Sequence, residues 1–112
     1  MGDIRDIDNR IYIVNKILKF LKLGILNYEE KQTIYELVKS IKKTELQKKR
    51  FYMIYGIGQN VKEHNTYKDI AGFYDCSTGA IRNSVMSVVG NLYHLPDEEF
   101  SFLENILKKY EE

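Results

Sequence analysis

The amino-acid sequence predicts an all-α domain, a compact bundle of about six helices that contains a helix-turn-helix. Apolar residues recur at spacings of three and four along most of the chain, which is the period of an amphipathic helix. Residues typical of helix N-caps stand ahead of these segments. No segment shows the strict polar and apolar alternation of a half-buried strand. With 112 residues, the chain has the size of a single domain.

The first part of this domain, residues 1–43, is predicted to contain two helices. Apolar residues recur with helical period from Asp3 to Leu23, and Gly24 stands where that helix should end. We favour packing of this apolar stripe within the domain, and the alternative is a seven-residue repeat that forms a homodimer through the N-terminal helix. Asn27 and Glu30 have the spacing of a capping box at the start of the second helix. The expected apolar residues are Ile4, Ile7, Ile11, Val14, Leu18 and Leu21 in the first helix, and Ile34, Leu37, Val38 and Ile41 in the second.

The second part, residues 44–95, begins with a third predicted helix. Thr44 and Gln47 repeat the capping-box spacing. Gly56 and Gly58 should end the helix, because glycine is poorly stabilised inside one. The residues expected to be buried are Leu46, Phe51 and Ile54.

A helix-turn-helix is predicted after residues 58–65, a polar stretch that we expect to be a loop. Thr66 can cap a first helix by accepting a hydrogen bond from a backbone amide of its first turn. Asp75 tolerates the left-handed backbone of a tight turn, and Ser77 can cap a second helix. The expected apolar residues are Ile70, Ala71, Phe73 and Tyr74 in the first helix, and Ile81, Val85, Val88, Val89 and Leu92 in the second.

Two sets of residues in this part of the chain carry a family resemblance. The first set is Arg50, Tyr55-Gly56-Ile57-Gly58, Thr66-Tyr67-Lys68-Asp69-Ile70-Ala71 and Cys76-Ser77. Through these residues, the region from Thr44 to Leu95 resembles the promoter-binding fourth region of bacterial sigma-70-family factors. The second set is Tyr67, Asp69, Ile70, Ala71 and Tyr74, with Leu23-Gly24-Ile25 earlier. It is similar, more loosely, to the DNA-binding domain of the sporulation master response regulator. Both resemblances imply a helix-turn-helix that binds DNA.

The second helix of such a motif lies in the major groove, so residues at and after its start face the bases. The expected base-contacting residues are Ser77, Thr78, Gly79, Arg82, Asn83 and Met86. Arg82 is suited to guanine and Asn83 to adenine, each through paired hydrogen bonds. The expected phosphate-contacting residues are Lys48, Lys49, Arg50 and Lys68. The alternative is that Arg82 and Asn83 belong to a solvated helix surface.

The third part, residues 96–112, is predicted to be a last helix. Pro96 stands at its start, and three acids from Asp97 to Glu99 would lie in its first turn, where the helix dipole favours negative charge. The residues expected to be buried are Phe100, Leu103 and Leu107.

The charge distribution is uneven although the formal net charge is only +1. Six basic residues and one acid lie between Lys39 and Arg50, and six acids and two lysines lie between Asp97 and Glu112. This separation predicts a positive side next to the helix-turn-helix.

Other classes of protein are disfavoured by the sequence. No apolar run is long enough to span a membrane, and the N-terminus does not have the pattern of a secretory signal. Cys76 is the single cysteine and cannot form an internal disulfide, so a reducing cytoplasm is expected. It lies on the predicted turn, where similar motifs have a small apolar residue, so we expect it to be buried and inert. His64 and His94 have no partner at metal-ligand spacing, so we expect neither a metal nor another cofactor. No catalytic arrangement is recognisable, and we expect the protein not to be an enzyme.

Two functional hypotheses remain. The first is a DNA-binding transcription regulator whose partner is double-stranded DNA. The second is a protein-interaction module of the same fold that binds RNA polymerase, a sigma factor or itself. The low net charge and the single arginine of the second motif helix favour the second hypothesis.

Overall fold

Six α-helices make up the described part of the chain. The computed structural model describes residues 4–58 and 66–111, with the side chains of residues 4 and 5 excepted. The helices are α1 (Ile4–Lys22), α2 (Tyr28–Lys39), α3 (Glu45–Tyr55), α4 (Tyr67–Tyr74), α5 (Thr78–Tyr93) and α6 (Asp97–Glu111). No strand occurs within those ranges, so the predicted all-α class is confirmed. Among these six helices, none combines the length and the hydrophobicity needed to cross a membrane.

Helix α1 packs against α3, α5 and α6. Val14, Ile17, Leu18 and Leu21 are each less than a tenth exposed. The apolar stripe of α1 is therefore buried in its own domain, as we favoured, although its predicted members Ile7 and Ile11 are only half-buried. Because α1 contacts helices from the second and third predicted parts, all three parts share one core.

The helix ends follow the caps that the sequence predicts. The Glu30 amide donates to Asn27 Oδ1 over 2.8 Å, and the Gln47 amide donates to Thr44 Oγ1 over 3.2 Å. In both capping boxes the second side chain also accepts a hydrogen bond from the backbone of the first residue. Caps of this kind stabilise a helix by about 1 kcal/mol each.

Two glycines end α3, as predicted. Gly56 has a φ of 66°, the left-handed conformation that closes many helices. Gly58 has a φ of 95°, and a Cβ atom there would lie 2.9 Å from the Tyr35 ring. The rest of the predicted loop, residues 59–65, lies outside the described residues. His64 is one of them.

Polar contacts attach α6 to the rest of the bundle. Arg10 of α1 forms an ion pair of 2.5 Å with Asp97 at the start of α6. Near the other end of α6, Lys109 Nζ lies 2.7 Å from Glu30 Oε2, and the Tyr110 hydroxyl donates to Glu30 Oε1. The predicted buried residues of α6, Phe100, Leu103 and Leu107, are all in the core. Helix α6 thus spans the bundle from the end of α5 to the start of α2.

Two apolar residues are exposed where the sequence analysis expected burial. Leu46 is 45% exposed, because the inward positions of α3 are Lys48, Phe51 and Ile54, and a residue two positions before Lys48 is rotated by about 200°. Phe73 is 72% exposed, because it lies one residue, or about 100°, before the inward-facing Tyr74. Both predictions were based on hydrophobicity alone, but burial depends on the direction in which a residue points from the helix axis.

Candidate nucleic-acid interface

Helices α4 and α5 pack together and are joined by a three-residue turn. The Asp69 amide donates to Thr66 Oγ1 over 3.1 Å at the start of α4. Asp75 adopts the left-handed conformation at the end of α4, with a φ of 54°. The Ala80 amide then donates to Ser77 Oγ over 3.1 Å at the start of α5. The predicted caps and turn of the helix-turn-helix are therefore confirmed as local structure.

Helix α5 has one buried and one exposed side. Its inward residues are Ile81, Val85, Val88, Val89 and Leu92, and each is at most 1% exposed. The predicted base-contacting residues occupy its other side, where Ser77, Thr78, Arg82, Asn83 and Met86 are exposed and Gly79 is half-exposed. The structure thus brings the six predicted residues together along the first half of one helix.

Arg82 has an aromatic neighbour that the sequence analysis did not single out. Its guanidinium carbon lies 5.1 Å from the centre of the Tyr67 ring, at the start of α4. Such a contact stabilises an exposed arginine by about 0.5–1 kcal/mol and restricts its rotamers. Tyr67 therefore orients Arg82, while no hydrogen bond or ion pair joins Arg82 to another described residue. No spacing rule links positions 67 and 82, so the sequence carries no signal for this pair.

Lys22 is a second cation near the same ring. Its Nζ atom lies 5.7 Å from the ring centres of both Tyr67 and Tyr55. Burial raises the pKa of the Tyr55 hydroxyl, so this phenol stays neutral and places no negative charge beside Lys22. Lys22 was missed because only the tertiary packing of α1 brings its last residue to the start of α4.

Lys48 does not lie on an open surface, which corrects its prediction as a phosphate contact. The residue is 5% exposed, and its Nζ atom donates to the Lys39 carbonyl over 2.8 Å. Lys39 is the last residue of α2, where backbone carbonyls lack helical partners and the dipole favours a cation. Lys48 thus caps α2. Its place three residues before Phe51, on the inward side of α3, is the signal that could have indicated this.

Arg50 also points into the domain, and its prediction as a phosphate contact is corrected in the same way. Its Nη1 atom donates to Ser84 Oγ over 2.8 Å, and its guanidinium carbon lies 4.6 Å from the Tyr74 ring centre. Its Nη2 atom is 3.9 Å from the sulfur of Cys76, which is half-buried rather than buried as expected. Arg50 therefore holds α3 against α4 and α5. The predicted phosphate contacts that remain exposed are Lys49 and Lys68.

The helix-turn-helix itself carries little charge. Between Thr66 and Tyr93 the charged residues are Lys68, Asp69, Asp75 and Arg82, so two acids offset two bases. All four are exposed. A surface with positive potential on this side of the domain would therefore need cations from neighbouring helices.

Within residues 4–58 and 66–111, no three His, Cys, Asp or Glu side chains are placed to hold a metal ion together. His94 is exposed at the end of α5. Comparisons with protein-family models, with curated proteins and with solved structures gave no match for this chain. The geometry of α4 and α5 is therefore the basis for a functional assignment.

Proposed function

We propose that this chain binds double-stranded DNA through α4 and α5 and regulates transcription. The observation that carries the proposal is the division of α5 into a fully buried side and a polar, exposed side, behind a capped helix and a short turn. That arrangement has the form of a DNA-reading helix-turn-helix. The resemblance of residues 44–95 to the fourth region of sigma-70-family factors supports the same function.

In this proposal the first half of α5 enters the major groove. Arg82 meets the O6 and N7 atoms of a guanine, and Asn83 pairs with an adenine. Ser77 and Thr78 at the exposed start of α5 lie nearest the groove edge. Lys68 and Lys49 contact phosphates, which fixes the orientation of α5 on the duplex. Sequence preference then depends mainly on two adjacent side chains.

Arg82→Ala tests the proposal directly. A preferred duplex is first selected with the wild-type protein from a randomised library, and affinities are then measured on it and on a random duplex of the same length. We expect Arg82→Ala to cost about 1–3 kcal/mol on the preferred duplex and little on the random one. Arg82→Lys should not restore the loss, because an ammonium group cannot form the paired hydrogen bonds.

Lys108→Ala is the matched control. Lys108 is also an exposed cation, but it lies on α6, whose main packing partners are α1 and α2. This variant should bind both duplexes like the wild type. If Arg82→Ala loses the same affinity on both duplexes, Arg82 contacts a phosphate and not a base. Wild-type protein with no salt-dependent affinity for duplex DNA would contradict the proposal itself.

A protein-interaction module is the second candidate function, and exposed apolar residues favour it. Leu23 and Ile25, between α1 and α2, are 62% and 43% exposed, and Tyr28 at the start of α2 is 77% exposed. Because the stripe of α1 is buried, a homodimer through α1 would use exposed apolar residues such as Tyr12 and, just after the helix, Leu23. RNA polymerase and a sigma factor are the other partners in this candidate. Sedimentation of a Leu23→Gln variant tests this candidate. Loss of self-association in the variant, together with no DNA binding by the wild-type protein, would favour the protein-interaction module.

A further inference from the structure

The charge balance of the helix-turn-helix poses a physical problem for DNA binding. Affinity for duplex DNA comes largely from cations that neutralise phosphates and release counterions. The stretch from Thr66 to Tyr93 has no net formal charge. Of the predicted phosphate contacts outside it, Lys48 and Arg50 are engaged within the domain. Lys49 and Lys68 are the predicted phosphate contacts that remain exposed. A further cation near Arg82 would add to this small number of phosphate contacts.

Lys22 is such a cation. Its Nζ atom and the guanidinium carbon of Arg82 lie 5.7 Å and 5.1 Å from the centre of the same Tyr67 ring. The two cations are thus no farther apart than the sum of these distances, which is less than the roughly 12 Å width of the major groove. When Arg82 reaches a base edge, Lys22 is therefore within one groove width of that edge.

The surroundings of Lys22 leave its ammonium group available. Lys22 is exposed, and 5.7 Å from two rings is near the outer limit of about 6 Å for a cation–π contact. The rings therefore position the ammonium group without using its hydrogen-bond donors. Lys19, one turn earlier on α1, is also exposed and extends the positive surface along the helix.

We propose that Lys22 contacts a DNA phosphate at the edge of the groove that Arg82 reads, so that the last turn of α1 is part of the DNA-binding surface. This inference rests on the proposed function. Tyr67 acts as a positioning residue in it, because its ring lies near both the base-reading and the phosphate-binding cation.

The test compares Lys22→Gln, Lys22→Arg and the control Lys108→Gln on the preferred and the random duplex over a series of salt concentrations. Lys22→Gln should lose affinity several-fold and equally on both duplexes. Its slope of log affinity against log salt should become shallower by about 0.9, the value for one phosphate contact. Lys22→Arg should restore both quantities, and Lys108→Gln should change neither.

Each other outcome has a distinct meaning. If Lys22→Gln binds like the wild type while Arg82→Ala loses affinity for the preferred duplex, the role of Lys22 is refuted and the proposed function stands. If Lys22→Gln loses affinity for the preferred duplex alone, Lys22 acts through Arg82, and the phosphate contact is refuted. If the wild-type protein binds neither duplex, both proposals fail together. Equal melting temperatures for the variants exclude misfolding as the cause.

Discussion

Two arginines mark two regions of this molecule that are built differently. At the junction of α1, α5 and α6, Arg10 donates to the carbonyls of Tyr93 and Leu95, pairs with Asp97, and lies 4.3 Å from the centre of the Phe100 ring. On the exposed side of α5, Arg82 has a ring contact and no hydrogen bond to another described residue. The donors of Arg10 are used by the fold, whereas those of Arg82 bind no other residue in the described part of the chain.

The difference shows what determines whether a cation is available for binding. Arg10 and Lys48 both donate to carbonyls at or just after a helix C-terminus, of α5 and α2 respectively. Those carbonyls lack helical partners and attract any cation that reaches them. Among the described residues, Arg82 and Lys22 are near aromatic rings, which orient a cation without using its donors. In Arg10 and Lys48, the end of a neighbouring helix therefore uses the donors of the cation.

Arg10→Ala should produce the largest change in stability. It would remove the partner of two carbonyls at the end of α5 together with the link to α6, so we expect a loss of about 1.5–3 kcal/mol in the free energy of unfolding. Urea unfolding measures this loss. Below the melting temperature, the ratio of affinities for preferred and random duplex should be unchanged. Arg82→Ala is the converse variant, and it should lower the free energy of unfolding by no more than about 1 kcal/mol, because only the Tyr67 ring contact is lost. A reversal of these two effects would overturn the comparison.

Glu30 should make the stability of the fold depend on pH, because it is the buried acid that binds α6. Burial by itself raises its pKa, but hydrogen bonds from Lys109, Tyr110 and the Asn27 amide together outweigh burial and lower it. A carboxyl whose pKa is lowered on folding adds stability above its usual pKa, and that stability is lost as the pH falls through the folded value. Glu30→Gln should therefore lower the free energy of unfolding by about 1–2 kcal/mol at neutral pH. It should also weaken the dependence of that free energy on pH in the acid range. If the free energy of unfolding of this variant depends on acid pH as it does in the wild type, another carboxyl is responsible for that dependence.

The sequence was most informative where structure depends on neighbours along the chain. The caps at Asn27, Thr44 and Ser77 and the turn at Asp75 were all predictable, because each involves residues within a few positions of one another. These local signals also placed the exposed residues at the start of α5.

The cations around the site could not be predicted in this way. Lys48 and Lys49 are adjacent and chemically identical, yet one caps α2 and the other is exposed. Lys22 and Tyr67 are distant in sequence and meet only through the packing of α1 in the bundle. Local propensity cannot distinguish such cases, because the deciding partner comes from another helix.

Substitutions of Asp75 should have the smallest effect on DNA affinity. They distinguish the effect of its charge from that of its backbone conformation. It is the exposed acid nearest the start of α5, and it holds the left-handed conformation that the turn requires. Asp75→Asn removes the charge and keeps a residue that tolerates this conformation, so its stability should stay within about 0.5 kcal/mol of the wild type. Asp75→Gly removes the same charge, and glycine adopts a positive φ at no steric cost. If the negative charge opposes phosphates near α5, both variants should bind duplex DNA slightly more tightly at low salt, and the gain should vanish at high salt as screening increases. A gain for Asp75→Gly alone would assign the effect to the turn, and the exposed side of α5 would then be limited by geometry rather than by charge.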